Sequence, residues 1–448
     1  MNSSNVPHRW ERRSASPVLP YSSSTRGSPV APFRAPMESG QEHEDDVAEV
    51  AIVASPGLPK MMGALHPAGS LYEKPVNLRL AVEQHAAFRR LLESHSVRVY
   101  DVLEILLKDT ERSVSARVAL EAFAARCLTY QFSSEVNRAK LGKADREMVA
   151  DSYKRKVLEG MSPEQLVDII KTNPTVTIEP SGRDTGFTAS YSFRPLTNLM
   201  FTRDQQVTTR RGIIMARLRA EQRRREVDVM QFCFDKLKLQ VVGRIPPPGY
   251  LEGGDFFPVG EDLCFIGVGL RSDMTAVQYM LEHDLFGTRR VAVVKDERDQ
   301  HQDRMHLDCV FNIIGRSTAL MFAGMMGEQS PLRRNVDEYA RASDTEPYRA
   351  VRRDVEFSAY VAEQGFEVIP LEEEHQLAYG CNVLNVGAGH VISVCSQAAR
   401  EIVASDKFHG NVEYLDFSQC TAMYGAAHCA SQIVRRAPVP PMSLNASS

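Results

Sequence analysis

Four short polar clusters occur in a fixed order along the C-terminal part of the 448-residue chain. They are the segments Asn198–Asp204 (NLMFTRD), Leu251–Asp255 (LEGGD), His306–Asp308 (HLD) and Ala427–Cys429 (AHC). Each cluster alone arises often by chance, but together they supply carboxylates, an imidazole and a thiol. That inventory is what a protein needs to hold a flat cation and to attack its central carbon.

Two aspartates in these clusters are suited to binding such a cation. A guanidinium group is planar, always charged near neutral pH, and presents its N–H donors in a fixed fork. Carboxylates match that fork because they can accept two parallel hydrogen bonds. Asp204 and Asp308 are therefore the candidate clamps.

Cys429 is the candidate nucleophile, and His306 is its candidate acid–base partner. The central carbon of a guanidinium is deactivated by resonance, and a thiolate attacks it better than hydroxide does. His306 would protonate the departing ammonia and then activate water for the second step. Glu252 would orient His306 and raise the pKa of its imidazole through its opposite charge. The bound cation would itself favour the thiolate form of Cys429.

The chain resembles the arginine deiminases of the guanidino-group-modifying superfamily, since the FTRD, EGGD and HLD motifs of that family stand here intact. The resemblance covers roughly residues 48–437. It implies an α/β fold, a five-bladed α/β propeller of ββαβ modules around a central site. It also implies hydrolysis of L-arginine to citrulline and ammonia through a thiouronium intermediate, without metal or organic cofactor. Carried over by position, the implied catalytic set is Asp204, Glu252, His306, Asp308 and Cys429.

The resemblance also implies how the amino-acid end of the substrate is held. Asn198 opens the FTRD motif, Arg223 matches the arginine of the family's R-x-R-E segment, and Arg271 lies in a matching L-R-S-D segment. Each residue offers donors that suit a carboxylate. The expected substrate-binding residues are therefore Asn198, Arg223, Arg271, Asp204 and Asp308.

The last motif departs from the family pattern. Arginine deiminases usually read G-R-G-G-G-H-C-M-T there, whereas this chain reads M-Y-G-A-A-H-C-A-S over residues 423–431. Tyr424 stands where the family has an arginine that contacts the substrate carboxylate. Ala426 and Ala427 replace glycines, and their methyl groups restrict a loop that glycine would leave free.

Domain organisation follows from composition and from the same resemblance. Residues 1–46 are rich in Ser, Pro and Arg and end in an acidic patch, which favours a disordered tail over a mitochondrial transit peptide. Residues 47–437 form the expected catalytic body, with a helical insert at about 103–173. Ser162 before Pro163 is a helix-start signal inside that insert. Residues 438–448 are expected to be a flexible tail.

Several features are assigned structural or negative roles. Cys264 and Cys395 lie in apolar runs and are expected in the core. His428 would point away from the site on an extended strand, whereas His306 and Asp308 would share one strand face. The basic run at 217–225 has no interleaved aromatic residue, so we interpret it as a solvated helix or strand edge with one arginine turned inward.

The overall composition limits the class of protein. With a net charge of −4 and no apolar run near a membrane span, we expect neither nucleic-acid nor membrane partners. Eight cysteines without a CxxC pair suggest a reducing, cytoplasmic setting, and a mitochondrial one is the alternative. The resemblance implies a homo-oligomer. An amidinotransferase passing the amidino group to an amine, or a non-catalytic arginine-binding protein, are the alternative functions.

Replacing Tyr424 by arginine tests the departure in the last motif. If the substrate carboxylate lacks its usual partner, Tyr424→Arg should lower the Michaelis constant for L-arginine, because a guanidinium pairs with a carboxylate through two bonds. Steady-state kinetics of both proteins would measure this. An unchanged or higher Michaelis constant would contradict the expectation.

Overall fold

The computed structural model describes residues 39–182 and 186–439. Within these ranges the strands, in chain order, are β1 Val47–Val53, β2 Arg98–Asp101, β3 Thr129–Phe132, β4 Pro174–Pro180, β5 Phe187–Phe193, β6 Gln206–Thr209, β7 Gly212–Met215, β8 Val241–Arg244, β9 Phe256–Pro258, β10 Leu263–Val268, β11 Arg290–Lys295, β12 Phe311–Gly315, β13 Thr318–Phe322, β14 Asn335–Ala340, β15 Arg349–Glu356, β16 Glu367–Leu371, β17 Leu384–Gly387, β18 His390–Ser393, β19 Asn411–Tyr414 and β20 Gln432–Ala437.

The helices of the same ranges connect these strands. They are α1 Leu58–Ala64, α2 Leu78–Ser94, α3 Val102–Leu107, α4 Val114–Cys127, α5 Lys143–Glu147, α6 Asp151–Glu159, α7 Pro163–Thr172, α8 Arg224–Leu237, α9 Met274–Glu282, α10 Phe357–Glu363, α11 Glu373–Leu377, α12 Ser396–Ala404 and α13 Ser418–Thr421. None of them is long and apolar enough to cross a membrane. The fold is therefore mixed α/β.

One structural unit recurs five times along the chain. It consists of two antiparallel strands, a helix, and a third strand parallel to the second. The units are β6–β7–α8–β8, β9–β10–α9–β11, β12–β13–α10–β16, β17–β18–α12–β19 and β20–β1–α2–β2. The last unit pairs β20 with β1, so it joins the two ends of the described chain. Strands β14 and β15 extend the second unit to five strands.

Buried apolar side chains of neighbouring units form the core. One cluster combines residues of β1 and α2 with the segment that leads into β20, and it includes Phe88, Phe417 and Cys429. A second cluster, around Phe265, Phe311 and Phe357, lies between the second and third units. Cys264 and Cys395 are buried as expected, although Cys395 lies at the start of α12 rather than in a strand.

The segment expected to be a helical insert is not entirely helical. Helices α3 to α7 account for much of residues 102–172, and α7 begins as expected, with Ser162 as N-cap before Pro163. Strand β3 interrupts the helices and pairs in parallel with β4, which in turn pairs with β5. Strand β3 is stabilised by pairing with β4, and the local sequence pattern of β3 gives no sign of that partner.

The expected disordered tail ends earlier than residue 46. Residues 41 and 43–46 are buried, and the backbone N–H of Gly40 donates to the carbonyl of Val434 at 3.0 Å. The Arg436 guanidinium donates to Gln41 Oε1, Glu44 Oε1 and the carbonyl of Asp46. These polar residues are ordered by one buried arginine on β20, which their composition does not indicate. Residues 1–38 and 440–448 lie outside the described residues.

Removal of the Arg436 guanidinium should destabilise the fold strongly. Arg436→Met leaves the buried Glu44 carboxylate without its cation, which costs about 3–5 kcal/mol of unfolding free energy. Arg435→Met is the matched control, because Arg435 pairs with Glu49 at the surface and such pairs contribute about 1 kcal/mol or less. Urea denaturation would measure both. Equal losses in the two variants would contradict the expectation.

Candidate functional site

The candidate residues lie where the chain enters the first strand of each repeated unit. Asp204 lies two residues before the start of β6, Glu252 four before β9, and Asp308 and Cys429 three before β12 and β20. Asn382 holds the corresponding place before β17. All five side chains are buried. Repetition of one unit therefore brings residues far apart in sequence to equivalent positions.

His306 and Glu252 form a buried pair. His306 Nε2 lies 2.8 Å from Glu252 Oε2, and Glu252 Oε1 accepts from the backbone N–H of Arg219 at 3.0 Å. Burial alone would lower the pKa of His306, but the carboxylates of Asp204 and Glu252 outweigh it and raise that pKa. Burial likewise opposes ionisation of Glu252, and the contact with His306 lowers its pKa. The pair is therefore favoured as imidazolium and carboxylate.

The two glycines of the EGGD motif are required by close packing. A Cβ on Gly253 would lie 2.0 Å from the carbonyl oxygen of Arg203. A Cβ on Gly254 would lie 2.8 Å from His306 Nδ1 and 3.1 Å from Asp308 Oδ1. The lack of a side chain at Gly254 therefore allows the His306 imidazole and the Asp308 carboxylate to approach this turn.

The HLD motif is a turn rather than a strand. His306 caps a short 3₁₀ helix, Leu307–Cys309, and β12 begins only after it, so the expected common strand face is wrong. The turn still brings ligand atoms of His306 and Asp308 within 4.8 Å of each other. Asp255 holds the turn, because its Oδ1 accepts from the N–H of Leu307 at 2.9 Å. The sequence analysis assigned no role to Asp255.

His428 contacts the site instead of pointing away from it. Its Nδ1 lies 2.8 Å from Asp308 Oδ2, and its ring stacks on Phe257 with 5.3 Å between centroids. Burial opposes ionisation of Asp308, but the hydrogen bond and the charge of His428 lower its pKa. His428 therefore keeps this carboxylate ionised in a buried place.

Cys429 is surrounded by groups that keep its thiol protonated. Its Sγ lies 3.5 Å from Asp308 Oδ2, and Asn382 Nδ2 donates to Sγ at 3.1 Å. Burial, followed by the negative charges of Asp308 and Asp204, raises the pKa of the thiol well above its usual value. A cation placed between the two aspartates would offset those charges and so favour the thiolate.

Asn382 is a second residue that the sequence analysis missed. Besides donating to Cys429 Sγ, it accepts from the N–H of Cys429 at 3.3 Å and donates to the carbonyl of Asp308 at 3.2 Å. A single asparagine carries no motif. Its place before β17, equivalent to that of Asp204 before β6, is the signal that could have found it.

The three expected binding residues for the amino-acid end line one small cavity of about 20 Å³. Arg223 is the inward arginine of the basic run, and it already pairs with Asp204 Oδ2 at 2.7 Å and Glu226 Oε2 at 3.0 Å. Arg271 donates to Gln302 Oε1 through Nη2, and its buried Nε has no hydrogen-bond partner. Asn198 donates to the carbonyl of Ser70. Arg271 therefore retains a free donor, whereas Arg223 is satisfied internally.

A larger cavity of about 330 Å³ shares Cys429 and Tyr424 with the small one. Tyr424 adopts a left-handed backbone with φ of 63°, an uncommon state for a bulky residue. Ala426 and Ala427, which replace the family glycines, are fully buried behind it. Cys429 is thus reached from a cavity large enough for a small organic molecule.

Several buried polar atoms at this site have no hydrogen-bond partner, among them Asp204 Oδ1 and His306 Nδ1, which lie 3.9 Å apart. Buried polar atoms are normally satisfied, so these atoms are open to hydrogen bonds from a ligand or from water. Asp204, Glu252 and His306 also have the geometry of a possible metal group, as do His306, Asp308 and Cys309. In these groups Asp204 is already paired with Arg223, Glu252 with His306, and Asp308 with His428.

Comparison with known proteins agrees with this arrangement. A family model described as arginine deiminase matches residues 69–436. The chain belongs to the arginine deiminase family. The arginine deiminase of Halobacterium salinarum is 25% identical over 324 residues, which is 55% of this chain and 65% of that protein. That of Listeria monocytogenes serotype 4b is 23% identical over 343 residues, 72% of this chain and 79% of that protein. The Halobacterium match thus spans less than two thirds of its relative.

Solved structures share the fold at low identity. The N-terminal domain of ArgZ, an arginine dihydrolase from cyanobacteria solved with its product, aligns with a TM-score of 0.50 and 14% identity, covering 88% of this chain and 98% of that chain. Unliganded AgrE aligns with a TM-score of 0.51 and 14% identity, covering 88% and 40%. These likenesses concern the fold of this arginine deiminase family member and not its substrate.

The role of Glu252 can be tested through the pH dependence of turnover. The raised pKa keeps His306 protonated at pH values where a free histidine would be neutral. Activity that needs the imidazolium is therefore lost only as pH rises through that raised pKa. Glu252→Gln removes the negative partner and should shift the alkaline limb of kcat to lower pH. Glu338→Gln, which alters a partly buried pair with Arg290 elsewhere, should leave the limb in place. An unshifted limb in Glu252→Gln would exclude this role.

Proposed function

We propose that the chain hydrolyses L-arginine to L-citrulline and ammonia. The observation that carries this proposal is that Asp204 Oδ1 and the nearby His306 Nδ1 have no hydrogen-bond partner, while Asp204 lines one small cavity together with Cys429. A buried carboxylate oxygen without a partner calls for a donor, and a guanidinium supplies several in one plane. Membership of the arginine deiminase family supports the same reaction.

In the first step the substrate guanidinium lies between Asp204 and Asp308. Burial and the two carboxylates raise the pKa of Cys429; the positive charge of the substrate offsets the carboxylates, and the thiol loses its proton to solvent. The thiolate attacks the central guanidinium carbon and forms a tetrahedral adduct. The His306 imidazolium donates a proton to one nitrogen, and the carbon–nitrogen bond breaks to release ammonia.

In the second step water replaces the sulfur. His306, now neutral and still oriented by Glu252, accepts a proton from water as its oxygen attacks the thiouronium carbon. The carbon–sulfur bond then breaks and the added hydroxyl loses its proton to solvent, which leaves neutral citrulline and the Cys429 thiolate. The neighbouring Asn382 amide donates to that sulfur and stabilises its negative charge when it leaves.

The fold supports such a central site. We propose that the five repeated units are the blades of a five-bladed α/β propeller, with the strand entrances that carry Asp204, Glu252, Asp308, Asn382 and Cys429 around its axis. Pairing of β20 with β1 supports closure of the ring. Helices α3 to α7 with β3 to β5 would then be an insert between the first two blades in the chain.

An assay of the purified full chain with L-arginine tests the function. Ammonia and citrulline should appear in equal amounts, and Cys429→Ala should lower kcat by about 10⁴- to 10⁶-fold, because the nucleophile is lost. Cys309→Ala is the matched control, since Cys309 lines the same cavity and lies 3.6 Å from the other oxygen of Asp308. It should stay close to wild type.

The same assay separates the alternatives. Ornithine formed only when an amine such as glycine is added would indicate amidino transfer instead of hydrolysis. Binding of L-arginine without either product would indicate a non-catalytic arginine-binding protein. Equal losses in Cys429→Ala and Cys309→Ala would contradict the assigned nucleophile.

A further inference from the structure

A chain of buried charged side chains leads from the N-terminal segment to the candidate site. Arg436 Nη2 lies 2.5 Å from Glu44 Oε1, and Glu44 Oε1 lies 3.8 Å from Nε2 of His428. His428 Nδ1 lies 2.8 Å from Asp308 Oδ2, the oxygen that also faces Cys429 Sγ at 3.5 Å. All five side chains are buried. Glu44 is thus linked to the reacting thiol through two side chains.

The imidazole of His428 is constrained on both sides. Asp308 can only accept a hydrogen bond when ionised, so Nδ1 of His428 must be the donor. Nε2 then faces the second carboxylate, Glu44, at 3.8 Å, which is an ion-pair distance and longer than a hydrogen bond. Stacking on Phe257, with 12° between the ring planes, fixes the plane in which both contacts are made.

Glu44 is itself rigidly held. Its backbone N–H donates to the carbonyl of Pro258 at 3.0 Å, next to the Phe257 that stacks on His428. Its carboxylate pairs with Arg436. The Arg436 guanidinium also donates to the backbone carbonyl of Asn385 and to Gln41 Oε1. A fixed carboxylate behind an imidazole sets the tautomer and orientation of that ring.

We propose that Glu44 is a positioning residue, which acts through His428 to hold the Asp308 carboxylate in the orientation that receives the guanidinium. This inference rests on the proposed function for the identity of the substrate. Because His428 occupies Asp308 Oδ2, this oxygen competes less for the Cys429 proton. Without Glu44, His428 loses one of its two fixed contacts, the carboxylate turns, and the thiol is held more strongly in its protonated form.

Glu44→Gln is the test variant, because it keeps the shape and removes the charge. Asp45→Asn is the matched control, since Asp45 is buried in the same segment but accepts from Asn385 and Gly389 and does not contact His428. Glu44→Gln should lower kcat/KM for L-arginine by about 10²-fold, the loss expected when a reacting group is misplaced by about 1 Å. Asp45→Asn should keep kcat/KM, even where both variants lose thermal stability.

A mutant cycle separates positioning from a general structural effect. If Glu44 acts through His428, then adding Glu44→Gln to His428→Asn should cause no further loss of kcat/KM. Additive losses, or equal activity of Glu44→Gln and wild type, would overturn the proposal.

Alkylation of Cys429 provides a readout that needs no substrate. Iodoacetamide should modify Cys429 more slowly in Glu44→Gln than in wild type or Asp45→Asn at the same pH, as followed by the mass of the Cys429 peptide. Equal rates in the three proteins would refute the proposal even if the chain turned over another guanidine. If wild type were inactive on L-arginine but the alkylation rates differed as expected, the proposed function alone would fail.

Discussion

The structure depends on keeping three carboxylates ionised in a buried site. Asp204, Glu252 and Asp308 are each almost inaccessible to solvent, where an unpaired charge is strongly unfavourable. Each has a fixed cationic or donor partner: Arg223 for Asp204, His306 for Glu252 and His428 for Asp308. These partners do not satisfy every atom, and Asp204 Oδ1 remains free. The site therefore keeps one buried carboxylate oxygen open to a further hydrogen-bond donor.

The same balance links binding to reactivity. In the absence of a cation, burial and the carboxylates that flank Cys429 raise the pKa of its thiol and keep it protonated. A positive ligand between the carboxylates would favour the thiolate. Under the proposed function, the guanidinium would therefore both bind to the site and activate it.

The sequence predicted which residues meet better than it predicted their local geometry. The five candidate residues named from the motifs do come together. Motifs identify residues by type and order, which does not require knowledge of backbone shape. The HLD motif was expected on a strand, and it is a 3₁₀ turn, since a two-residue spacing fits either conformation. The turn is held by Asp255, which belongs to another unit.

Long-range partners account for what else the sequence did not predict. The partners of His428 include Glu44, which is nearly 400 positions earlier in the chain. The prediction that His428 points away from the site used only its position next to Cys429, and this position does not reveal that partner. Residues 39–46 have the polar composition of a disordered tail, yet Arg436 on β20 orders them. Asn382 has no motif and is identified only by its position in the repeat. The expected oligomer and cytoplasmic setting stay predictions.

The most direct test of the central claim is to detect the covalent adduct during turnover. The wild-type protein would be mixed with L-arginine, quenched in acid within one turnover, digested and measured by mass spectrometry. The account predicts that the peptide containing Cys429 carries the mass of arginine less ammonia, and that no other cysteine peptide does. Formation of ammonia and citrulline without this adduct, or an adduct on Cys309, would contradict it.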